Sequence, residues 1–109
     1  MSVLARLIEA AGIATVIVTM MPAVSAALGA PRIVGVEFPF GHPFGAPGDG
    51  ATQRAVLDTA VRVLAGAATS GTRVDVDLEW PQDARAAYKS WQPPEPSPIV
   101  AMMLNARER

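Results

Sequence analysis

The sequence predicts a small α/β domain, two or three layers thick, built on a three- to four-stranded, mainly parallel sheet. Three observations lead there. Segments with helical periodicity alternate with short β-branched runs along most of the 109 residues, and strands that alternate with helices imply a parallel sheet covered by helices. Half of the residues are hydrophobic and 17% are charged, enough apolar content for a core and the opposite of the disordered signature. The first apolar runs are β-branched and bounded by glycine or proline, as strands buried on both faces are.

Each element has its own signal. Val3, Leu4, Leu7 and Ile8 recur at helical spacing, with Arg6 and Glu9 between them and Gly12 as a stop. "IATVIVTM", between Gly12 and Pro22, reads as a buried strand. "PAVSAALG" opens on proline and closes on Gly29, the punctuation of a short helix. "PRIVGVEF" is the second strand and leads into a long loop from Pro39 to Gly50. Asp49 or Thr52 can cap the following helix, whose expected buried face is Val56, Leu57, Ala60, Val61 and Leu64, with Gln53, Arg54, Asp58 and Arg62 outside and Gly66 or Gly71 at its end. "TRVDVDLEW" alternates Val74, Val76, Leu78 and Trp80 with Asp75, Asp77 and Glu79, a half-exposed edge strand whose charges discourage edge pairing. Residues 1–92 form one α/β domain on this reading, and 93–109 a proline-rich tail, extended as far as Pro98 and helical beyond it.

Composition narrows the partners. The net charge is -1, with no basic face to neutralise phosphates, so no nucleic acid is expected. Without cysteine the chain offers no disulfide, thiolate metal site or cysteine nucleophile. The start of the chain resembles a signal peptide, but Glu9 and Pro22 interrupt it, and no apolar run reaches the roughly 18 residues of a spanning helix. A cytoplasmic domain with no membrane contact is the expectation. So small a charged fraction leaves apolar surface to be covered, which favours a protein partner or a homo-oligomer.

The stretch "LIEAAGIATVIVTMMPAVSAALGAPRIVGVEFPFGHPFGAPGD", with the helix "QRAVLDTAVRVL" after it and "PPEPSPIV" near the end, resembles the C-terminal part of the component B selenoprotein family. That family comprises the glycine, sarcosine and betaine reductases and the related D-proline reductase subunit. The likeness runs from about Leu7 to Val100 and is most specific in "FPFGHPFGAPGD". It implies a reductase that cleaves a carbon–nitrogen bond next to a carboxylate, with a selenocysteine or cysteine attacking the substrate carbon. The family's redox motif lies upstream of the matching stretch, and this chain contains no such residue. The resemblance therefore implies a small subunit of a two-component, glycine reductase-like oxidoreductase whose cysteine- or selenocysteine-containing partner brings the nucleophile. The alternative is a non-catalytic binding or assembly module that keeps the family fold.

His42 is the only histidine and the candidate catalytic group: a proton donor or acceptor at neutral pH, in a loop at the carboxyl end of a strand, where open α/β sheets place ligands. Its bland reading is a loop histidine that stiffens a turn. Thr19, Gly41, Phe44 and Gly45 are the candidate substrate-binding residues around it. Gly41, Gly45, Gly48 and Gly50 either present backbone N–H groups to an anion or, the favoured reading, permit positive φ between prolines. Phe38 and Phe40 are expected in the core. Glu37, His42 and Asp49 make a poor metal set, and no metal or other cofactor is expected. Trp80, Trp91 and the "PPEP" segment form either a partner arm or a tail that packs back on the sheet.

Overall fold

The computed structural model describes residues 1–107, apart from the side chains of Ser90 and Trp91; the expectation of Trp91 in a docking arm and the last two residues of the tail lie outside the described residues. The elements run α1 (Ser2–Ala10), β1 (Ile17–Thr19), α2 (Pro22–Ala27), β2 (Arg32–Glu37), α3 (Gly50–Gly66), β3 (Thr72–Glu79), α4 (Ala84–Trp91) and α5 (Pro98–Arg107). The three strands form one parallel sheet in the order β1-β2-β3. The domain is α/β, as the alternation of elements predicts.

The middle strand carries the core. Val34 and Val36 of β2 pack against Val56, Ala60 and Val63 of α3, and Val18 and Val76 of the flanking strands close around them. Gly35 points the other way, where a Cβ would lie 2.9 Å from the Pro22 ring and collide with the Asp75 carboxylate. A side chain there would push α2 off the sheet, which is why glycine interrupts an otherwise β-branched strand. Alternation puts Ile33 on the same face as Gly35, and it too is fully buried.

One polar junction holds the start of the chain to this core. The Glu9 carboxylate accepts hydrogen bonds from the Thr15 backbone N–H (2.7 Å), the Thr15 hydroxyl (3.1 Å) and the Arg32 guanidinium. The Thr15 backbone donor, then the Thr15 hydroxyl and Arg32, hold the Glu9 carboxyl below its usual range against the opposing effect of desolvation. The end of α1, the approach to β1 and the first residue of β2 thus share one carboxylate.

That junction also sets which face of α1 is buried. Ser2 and Ala5 are the buried positions of α1, and Glu9 lies on the same helical face, at i, i+3 and i+7. Turning Glu9 toward Arg32 turns Val3, Leu4 and Leu7 outward, leaving them 58, 48 and 64% exposed. Three of the four apolar residues of α1 are therefore surface, and Ile8 is half-buried. The expected face of α3 departs in a similar way: the helix buries Val56, Ala60 and Val63, while Leu57 and Val61, expected inside, are 53 and 56% exposed. The buried stripe is the one with the smaller residues, which lets the helix approach a sheet of valines closely.

β1 is shorter than expected, because residues 13–16 of "IATVIVTM" have no strand partner among the described residues. α4 was not expected. Asp83 caps it, its carboxylate accepting from the N–H groups of Arg85 and Ala86 at 2.9 Å each. The tail is helical from Pro98, as expected, but no residue of α5 is buried. No helix of the described residues is long and apolar enough to cross a membrane.

Candidate functional site at the carboxyl end of the sheet

The loop after β2 consists of three successive turns, each closed by a hydrogen bond from the fourth N–H to the first carbonyl: His42 to Pro39, Gly45 to His42 and Asp49 to Ala46, all at 3.1 Å. Their chemistry follows from the sequence. The first and third turns have glycine in third place, Gly41 (φ +89°) and Gly48 (φ +80°), as a type II turn requires. Proline stands second in the other pair of positions where φ must be near −65°, Pro43 and Pro47. The last turn delivers Asp49 to the start of α3, where its carboxylate accepts from the Thr52 N–H (3.2 Å) and hydroxyl (2.6 Å). These two donors keep the Asp49 carboxyl below its usual range. Gly41, Gly45 and Gly48 take positive φ, in line with the conformational reading, whereas Gly50 does not and opens α3.

His42 comes out of the first turn stacked on Trp80, ring centroids 5.4 Å apart and planes 23° from parallel. The same indole meets Phe38 at 5.6 Å and 54°. Phe38 directly follows β2 and Trp80 directly follows β3, so three aromatic rings join the ends of two neighbouring strands to the loop. The Trp80 indole N–H is buried without an acceptor. Beside this cluster lies a cleft of about 380 Å³ between the strand ends and α4, bounded by Met20, Glu37, Phe40, Glu79, Trp80 and Tyr88. Its size suits a small molecule, and it sits where parallel sheets bind ligands.

The candidate residues are distributed unevenly around this place. His42 is part of the aromatic cluster and half-buried. Gly41 and Phe44 are exposed turn residues on either side of it. Gly45 (φ +101°) is buried with its α-carbon against Thr52, where a Cβ would come within 2.7 Å of the methyl group. Thr19 is turned to a different task, its hydroxyl accepting the Met21 N–H (3.0 Å) at the entrance to α2. None of these five lines the cleft itself. Phe40, expected in the core, is 47% exposed and bounds the cleft instead, because the turn at Gly41 reverses the chain before alternation can bring it back to the sheet.

Trp80 is the functional-site residue that sequence reasoning placed elsewhere, on the strand face or in an arm. Its signal was present: it continues the Val74, Val76, Leu78 alternation one step past the strand, at the same sheet end as His42. Glu37, His42 and Asp49 do not assemble, and no group of three or more His, Asp or Glu residues able to hold a metal occurs among the described residues. No family model matches this chain, and no curated protein and no solved structure matches it either.

Proposed function

We propose that this chain is the small subunit of a two-component reductase of the component B type, and that substrate binds where His42 stacks on Trp80 at the edge of the cleft, while a partner chain supplies the thiol or selenol. The observation that carries the reading is the polar side chain of His42, stacked on Trp80 at the carboxyl end of a parallel sheet, in the loop that most resembles the family. The partner's sulfur or selenium forms a bond to the carbon beside the carboxylate, the carbon–nitrogen bond breaks, and the nucleophile's proton leaves on the amine by way of His42. Three turns and an aromatic stack order His42 before substrate arrives, so little ordering remains to be done on binding.

The reading is tested with the partner-bound complex isolated from the native host and assayed for amine release from glycine, sarcosine and betaine. His42→Ala should lower turnover by about 100-fold, the range of a lost general acid. His42→Phe, which keeps the stack without the proton, should be equally slow. Full activity in both variants would contradict the role. The second reading, a binding module, is favoured by one observation: the exposed apolar side chains of α1 and α5.

A further inference from the structure

The outer edge of β3 is open. It is the last strand of the sheet, eight residues long, and no strand pairs with its far side among the described residues. In a strand, alternate backbone N–H and C=O groups point to that side and need partners. The ground beside the edge is already shaped. A groove of about 480 Å³ runs between α3 and the strand, with Val63 and Ala67 on the helix side and Val74 and Val76 on the strand side. The opposite face of the strand is acidic: Asp75, Asp77 and Glu79 stand along it, with Glu37 of β2 next to Glu79 in register. Arg73, on that same face, is held by Asp75 through two hydrogen bonds of 2.9 Å.

We propose that this edge takes up a strand from a partner polypeptide whose side chains alternate between apolar and basic. The period of two in a strand puts the apolar residues over the α3 groove and the basic ones beside Asp77, Glu79 and Glu37. Backbone pairing along the edge gives the attachment, and the charges give the selection. A second copy of β3 does not meet these terms. Set against itself in either direction, the strand brings acid against acid, and like charges directly opposite one another are destabilising. The inference does not depend on the reaction proposed above.

The test uses the full chain and three synthetic eight-residue peptides: alternating Val and Lys, alternating Val and Glu, and the Val/Lys peptide with a central proline. The readout is amide hydrogen exchange at residues 72–79. The Val/Lys peptide should slow exchange at the outward amides by about 10-fold or more, and less so as salt is added. The Val/Glu peptide should leave exchange unchanged, and the proline peptide should bind at least 10-fold more weakly. The doubly exposed pair Asp77→Lys and Glu79→Lys, made together, should transfer the preference to the Val/Glu peptide. Equal binding by the proline peptide would reduce the effect to charge alone and overturn the proposal. So would unchanged exchange at 72–79, an unchanged preference in the charge-reversed variant, or a homodimer that buries this edge.

Discussion

Gly45 is subject to two constraints at once, a left-handed backbone and the Thr52 methyl group 2.7 Å from any Cβ. Gly41 is subject to one, since it has a similar φ but open space around it. Gly41→Ala should therefore lose about 1 kcal/mol, the cost of a left-handed alanine, and Gly45→Ala roughly 2–4 kcal/mol once the clash is added. Urea midpoints measure both. Thr52→Ser in the Gly45→Ala background removes the offending methyl while keeping the hydroxyl bonded to Asp49, and should recover part of the loss. Glu9 gives a residue-scale prediction in pH. Its folded-state carboxyl is held below the ordinary value of 4.5, so its contribution is present above that value and is lost as pH falls through the lower, folded one. The stability difference between the native chain and Glu9→Gln, followed by urea unfolding, should be greatest near neutral pH and shrink in acid; a difference independent of pH would contradict the ionised junction.

At the scale of elements, caps and stripes make separate predictions. Asp49→Ala and Asp83→Ala each remove a side chain that accepts from the first turn of a helix, and each should lose about 1 kcal/mol. Val56→Ala should lose roughly 2 kcal/mol from a fully buried site, whereas Leu57→Ala, one residue on and exposed, should stay within about 0.5 kcal/mol. Reversed values would mean that α3 sits on the sheet by its other stripe. The types and order of most elements were legible from periodicity and from Gly12, Pro22, Gly29 and Asp49. The rotation of two helices was not. Leu57 and Val61 are as apolar as Val56 and Val63, so a helical period alone cannot choose between stripes one residue apart, and on α1 the choice falls to the bonds of Glu9 with Thr15 and with Arg32, 23 residues away. α4 was not legible because it is only eight residues long and prolines crowd both its ends. His42 stood out in the sequence by its rarity and its loop. Its partnership with Trp80 did not, because it depends on the turn at Gly41 and on the parallel placing of β2 beside β3.

For the molecule as a whole, a three-stranded sheet leaves much apolar surface unpaired. Val3, Leu4 and Leu7 on α1 are at least 48% exposed, and Ile99, Met102, Met103 and Leu104 on α5 at least 50%. Exposed apolar side chains grouped on one helix favour an interaction site there. The same chain presents a stiff loop, a histidine stacked on tryptophan and a cleft of about 380 Å³, yet has no thiol of its own. Taken together these features fit a protein that works in an assembly. The measurement that tests this most directly is the native mass, with identification of every chain present, of the tagged full-length protein isolated from its own host at moderate salt. The account predicts a complex of fixed stoichiometry containing a cysteine- or selenocysteine-bearing chain. A monomer or homodimer with no such chain would contradict it.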